Sequence, residues 1–178
     1  MTPVAERVSR FDQRIDRSFD RLRGHKVIDQ TMYSLSELAD FSLIWHTASV
    51  AIAAFGDKHS ERAAIRMSSA LAVESVLVNG VIKGLVRRER PADPSPRPHR
   101  LRQPSTSSFP SGHASAAACA TVLLTDGAGP GVTVAWTVLA TLVAASRVHV
   151  QIHHASDVVG GALVGATIGL VFRRWPIR

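Results

Sequence analysis

At 178 residues the chain fits one domain. Its 46% hydrophobic content and mean hydropathy of +0.09 do not by themselves describe a membrane protein. A net charge of +7 would suggest nucleic acid as a partner, but the cations do not interleave with aromatics. They bracket long uncharged stretches instead, which disfavours a nucleic-acid surface and points to membrane flanks and an anionic substrate.

Arginine outnumbers lysine eighteen to three, a bias of GC-rich genomes. The single cysteine, Cys119, lies in an apolar run and permits no internal disulfide. No short apolar core with a small-residue cleavage site opens the chain, so no cleaved signal peptide is expected.

In chain order, Val4, Val8, Phe11, Ile15, Phe19 and Leu22 form one apolar stripe at helical spacing, with arginines and aspartates on the other face. Such a helix lies at a membrane surface, or packs on its own protein or on a second subunit. Five apolar helices follow. The first covers about 41–55, with a start as early as Leu35, and the second about 63–85. A loop over 86–110 contains Pro91, Pro94, Pro96, Pro98 and Pro104, which excludes a regular helix there. The third helix begins at Ser111 and fades near Asp126, the fourth covers about 132–150, and the fifth about 156–172. Glu74, Asn79 and Lys83 in the second must face protein or water rather than lipid. Gly161, Gly165 and Gly169 in the fifth are four apart, spacing that lets two helix backbones approach closely. The predicted fold is all-α: a polytopic membrane helix bundle of about five spans plus an N-terminal amphipathic helix. Residues 1–35 form the amphipathic segment and 36–178 the membrane-embedded domain.

An up-down bundle brings three polar segments to one membrane face. They are Lys83 to Pro91, Pro110-Ser111-Gly112-His113, and Ser146 to Asp157. Lys83, Arg90 and Arg147 are cations at the rim of an apolar bundle, unfavourable without an anion, and the arginine fork suits phosphate oxygens. Ser111 and Gly112 open a helix whose free N–H groups and dipole favour phosphate. Asp157 follows His153 by four residues, so on a helix the carboxylate can orient the imidazole. His113 supplies a second imidazole able to protonate a leaving oxygen. His149, His153 and Asp157 also sit at four-residue intervals, a spacing that can bind a metal.

These residues resemble the three-part signature of the type 2 phosphatidic acid phosphatase family: Lys-x6-Arg-Pro, Pro-Ser-Gly-His, and Ser-Arg-x5-His-x3-Asp. Every signature position is matched, and the resemblance covers about residues 40–172. It implies that His153 is a nucleophile forming a phosphohistidine, that Asp157 supports it, and that His113 is the general acid. Lys83, Arg90, Ser111, Gly112 and Arg147 would hold the phosphate, with no metal and no cofactor. His149 and His154 are not signature positions. The implied substrate is a lipid phosphate. Size and composition favour decaprenylphosphoryl-5-phosphoribose, a polyprenyl-phosphate sugar, with undecaprenyl diphosphate or phosphatidylglycerol phosphate as alternatives. From a different class, a metal-dependent membrane hydrolase or a non-catalytic binder of anionic lipid remains open, and so does a homo-oligomer. With five spans, and the three signature cations left out, the site face carries twelve Lys and Arg against six on the other. The positive-inside rule then places the site towards the cytoplasm of the cell membrane.

Overall fold

The computed structural model describes residues 2–91, 101 and 104–175. Pro94, Pro96, Pro98, Arg97, Arg100, Arg102 and Arg178, used in the loop and charge readings above, lie outside the described residues. Among the described residues the chain is helical, without strands: α1 Pro3–Asp20, α2 Lys26–Leu38, α3 Leu43–Phe55, α4 Lys58–Leu85, α5 Gly112–Leu124, α6 Pro130–His149 and α7 Ala155–Arg173.

The helix ends follow local chemistry. Thr2 caps α1, its side chain accepting from the Ala5 N–H, and Pro3 occupies the first turn, where its missing N–H costs nothing. Asp57 caps α4 by accepting from the Ser60 N–H at 2.9 Å. Pro130 opens α6. Between α2 and α3 the chain turns by 62° through Asp40–Ser42. Phe41 (φ 53°) and Ser42 (φ 59°) are left-handed there, a conformation non-glycine residues adopt only when the surroundings impose it. Within α4, Val76–Ile82 forms a π-helical stretch.

All five expected apolar helices are present. α4, α6 and α7 are each long and apolar enough to cross a membrane, and the bent pair α2–α3 makes a fourth span if taken as one. α5, with 13 residues, is about 20 Å long and falls short of a ~30 Å hydrocarbon core. Its short length reflects its place: it starts at the site and is enclosed by α4, α6 and α7. Ala114, Ala116, Ala117, Cys119 and Ala120 are buried in it, against Met67 and Leu71 of α4 and Val143 of α6. Large apolar side chains such as Phe55, Ile65, Val134 and Leu163 instead point outward, as lipid contact requires.

The glycine stripe fixes the register of α5 and α7. A Cβ on Gly161 would collide with Ser111 backbone, one on Gly165 with Ser115 backbone, and one on Gly169 would stand 2.9 Å from the Cys119 carbonyl oxygen. Positions increase together along both helices, so α5 and α7 are parallel and start at the same end. α6 runs back between them, placing Arg147 at that end too.

α1 and α2 fasten onto this end. Arg23 donates to the carbonyls of Val148 and His149, both at 2.9 Å, satisfying orphan acceptors at the α6 C-terminus. Its guanidinium also pairs with Asp16 at 2.6 Å and Asp20 at 2.5 Å. His149 Nε2 meets Asp29 Oδ1 at 2.8 Å, and Phe19 packs edge-on against the same imidazole. The amphipathic stripe of α1 therefore has part of its apolar face on its own protein.

Candidate active site

His153 sits in the turn between α6 and α7. The Arg147 carbonyl accepts from the N–H groups of both Ile152 and His153, at 3.2 and 3.1 Å, folding the chain back on itself. Gln151 takes a left-handed conformation (φ 56°) to allow it. The imidazole is buried. Its Nε2 lies 3.3 Å from Arg90 Nη1 and its Nδ1 3.8 Å from Asp157 Oδ2. A guanidinium only donates, so Nε2 is the acceptor and the proton resides on Nδ1, facing the carboxylate. The 3.8 Å separation is an ion-pair distance, longer than a hydrogen bond; such contacts commonly tighten when a reactant binds.

Asp157 is fully buried in the first turn of α7. Oδ2 accepts from Ser108 Oγ at 2.5 Å and from the His154 N–H at 2.9 Å; Oδ1 pairs with Arg88 Nη1 at 2.5 Å. Its carbonyl accepts from the Ser111 N–H at 3.0 Å, which locks the starts of α5 and α7 together.

Arg90 is clamped by four carbonyls. Nε donates to Pro104 and Thr106, Nη1 to Ile152 at 3.0 Å and Nη2 to Ser107 at 3.1 Å. Arg147 is buried, its Nη1 donating to Ser36 Oγ. Lys83 is buried and donates to Asn79 Oδ1 at 2.8 Å. A Cβ on Gly112 would stand 3.8 Å from Lys83 Nζ, so the ammonium sits at the opening turn of α5. Arg90 and Arg147 both lie near enough for their charges to act on Lys83 and on His153. Burial foremost, then these two cations, push the His153 pKa down to about 3, against the opposing influence of Asp157. This favours the neutral imidazole at pH 7. Burial also lowers the pKa of Arg90.

Ser111 caps α5, its hydroxyl accepting from the Ala114 N–H. His113 follows one residue into the helix, and its Nε2 lies 3.0 Å from Asp40 Oδ1 and 3.2 Å from the Ser36 carbonyl oxygen. The signature residues of the three segments thus lie at the same end of the bundle.

The metal-ligand reading of His149, His153 and Asp157 does not match the geometry. His149 faces Asp29, while His153 faces Arg90 and Asp157. Among the described residues no group of three or more His, Cys, Asp or Glu is placed to hold a metal ion. Asn79 remains exposed although its side chain holds Lys83, whereas Glu74 is buried as expected.

Several supporting residues escaped the sequence reading: Ser36, Asp40, Arg88, Ser108 and Asp12. Arg88 stands two residues before Arg90 in a run of charges, and Asp12 reads as one more charge on the polar face of α1. Their pairing spans 76 positions in sequence and leaves no local signal. His153 lines a cleft of about 850 Å³, whose other walls include Val8 and Asp12 of α1, Arg88, Phe109 and Ser156. A buried neutral imidazole beside clustered cations, with a carboxylate behind it and a second imidazole nearby, can attack an anionic phosphorus centre and protonate a leaving oxygen.

Comparison with known proteins identifies the family and the fold. At 38% identity over 91 residues, the chain matches decaprenylphosphoryl-5-phosphoribose phosphatase from two Mycobacterium tuberculosis strains, CDC 1551 / Oshkosh and H37Rv. The match covers 51% of this chain and 49% of theirs, so the chain spans about half the length of these curated relatives. Its structure is similar to that of a transmembrane PAP2-type phosphatidylglycerolphosphate phosphatase from Bacillus subtilis. The TM-score is 0.75 at 26% identity, over 97% of this chain and 86% of that one. LpxE of Aquifex aeolicus shares the fold at a TM-score of 0.74 and 20% identity, over 92% of this chain and 94% of LpxE. The sequence model of the PAP2 superfamily matches residues 63–178, which hold every signature residue of the site, and the chain belongs to that superfamily.

Proposed function

We propose that this chain is a membrane lipid-phosphate phosphatase that works through a phosphohistidine. The observation that carries the reading is the placement of His153: buried, with Nε2 towards Arg90 and Nδ1 towards Asp157. Nε2 attacks phosphorus in line, a P–N bond forms, and the ester P–O bond breaks. The departing alkoxide takes a proton from His113. Lys83, Arg90 and Arg147, with Ser111 and the Gly112 N–H, hold the phosphoryl oxygens and offset the charge that builds there. Asp157 balances the positive ring of the intermediate. Water then gives a proton to His113 and attacks phosphorus. The P–N bond breaks, releasing inorganic phosphate and restoring neutral His153. No metal or cofactor takes part.

The substrate favoured by partial sequence likeness is decaprenylphosphoryl-5-phosphoribose, after the relative of that name. The Bacillus subtilis neighbour, alike over nearly the whole chain, supports phosphatidylglycerol phosphate as the second reading, and undecaprenyl diphosphate is a third substrate in the panel. In this proposal 36–178 form the membrane domain of a multi-pass protein of the cell membrane. Residues 1–35 form an amphipathic segment on the inner leaflet, and the site faces the cytoplasm.

The test is phosphate release by purified protein from a panel of these three lipids. Wild type should release phosphate in EDTA and be inhibited by vanadate, which mimics the five-coordinate transition state on His153. His153→Ala should release none. Near-normal turnover by His153→Ala would overturn the nucleophile, and activity lost in EDTA and regained with zinc would overturn the metal-free chemistry.

A further inference from the structure

Asp12 belongs to α1, outside the residues that the superfamily model matches, yet it is buried. On an amphipathic helix a carboxylate is normally left to solvent, since burying its charge is costly unless it is paired. Here it is paired on three sides. It accepts from the Ser156 N–H and the Ser156 hydroxyl, both at 2.8 Å, and from Arg88 Nη2 at 2.6 Å. Arg88 in turn reaches Asp157 Oδ1 at 2.5 Å and Ser156 Oγ at 2.7 Å through Nη1. The same arginine's backbone carbonyl accepts from the Ser108 N–H at 2.9 Å, and Ser108 donates to the other oxygen of Asp157. The chain of contacts runs from α1 through the loop after α4 to the carboxylate beside His153.

The charges explain why two residues are needed. Arg88 alone would neutralise Asp157 and take its charge away from His153. With Asp12 on the far side of the guanidinium, the three groups sum to one negative charge, which stays available when the imidazole becomes a cationic phosphohistidine. The two Arg88 nitrogens, each fixed on a carboxylate, also hold Asp157 against rotation.

We propose that Asp12 and Arg88 are positioning residues for the Asp157–His153 pair, so that α1 is a working part of the site rather than an accessory. This rests on the phosphohistidine reading above. The experiment uses the full chain and the lipid phosphate that wild type hydrolyses best, with Asp12→Asn, Asp12→Glu, Arg88→Lys and the exposed control Glu6→Gln. Asp12→Asn should lower kcat about 10- to 100-fold, the scale of losing a group that orients a reactive histidine, with KM within about twofold. Asp12→Glu should regain most of that loss, and Glu6→Gln should match wild type. In an Asp157→Asn background, Asp12→Asn should lower kcat no further, because its effect passes through Asp157. If Asp12→Asn does not fold, the same cycle is run with Arg88→Lys, which keeps the charge but loses the planar two-nitrogen fork that fixes both carboxylates. Unchanged kcat, a loss confined to KM, or losses that multiply with Asp157→Asn would overturn the proposal while leaving an inactive His153→Ala untouched. An active His153→Ala would instead overturn the mechanism on which the proposal rests.

Discussion

Asp40 Oδ1 stands 3.0 Å from His113 Nε2, delivered there by the 62° turn between α2 and α3. The turn contains two left-handed non-glycine residues, Phe41 and Ser42, each costing on the order of 1–3 kcal/mol. The strain is that of a backbone held to present a carboxylate to His113, the proposed general acid. Asp40→Asn is expected to slow phosphate release from alkyl phosphates about tenfold and to leave aryl phosphates, whose leaving groups need little protonation, nearly unaffected. A kcat comparison across leaving groups decides it. Equal losses for both classes would place Asp40 in packing alone.

The depressed pKa of His153 makes stability depend on pH. The folded value of about 3 lies below the ordinary histidine value near 6.5. Between the two, only the unfolded chain binds the proton, so stability is whole above pH 6.5 and falls as pH drops towards 3. The loss should reach at most about 1.4 kcal/mol per pH unit in that window. Thermal unfolding at pH 7.5 and pH 5 should show a smaller drop for His153→Gln than for wild type. Identical drops would mean that the imidazole is not buried neutral.

Gly165 has no room for a methyl group, since its Cβ would meet the Ser115 backbone, whereas a Cβ on Gly131 meets nothing within 4 Å. Gly165→Ala is expected to force α5 and α7 apart, costing about 1–3 kcal/mol. It should also lower activity, because His113 and Asp157 ride on those two helices. Gly131→Ala, in the first turn of α6, should be neutral or gain up to ~1 kcal/mol. Thermal unfolding and turnover of both variants test the pair, and equal Tm shifts would contradict the close approach.

Sidedness can be tested with single cysteines in a Cys119→Ala background. Ser105→Cys lies in the exposed loop at the site end, and Ala128→Cys in the turn between α5 and α6 at the other. With a cytoplasmic site, a membrane-impermeant thiol reagent applied to intact cells labels Ala128→Cys and spares Ser105→Cys. The reverse pattern places the site on the outer face.

The apolar helices were legible in the sequence because hydrophobic runs, prolines and caps act over a few residues, and lipid allows little besides helix. The signature residues were legible for a similar reason: phosphate chemistry needs cations, helix N-termini and imidazoles at short spacings, and an alternating bundle brings helix ends to one face. Even the Gly161–Gly165–Gly169 stripe announced a close helix contact, although not that its partner would be Ser111–Cys119. What only the tertiary structure decided was the second layer. Asp29 takes His149 away from the metal reading, Asp40 turns to His113, and Asp12 with Arg88 supports Asp157. Each of those pairings joins residues 69 or more positions apart. A carboxylate on a helix surface carries the same local pattern whether it meets water or a buried arginine. Its role is set by which elements dock beside it, and that is a property of packing rather than of spacing.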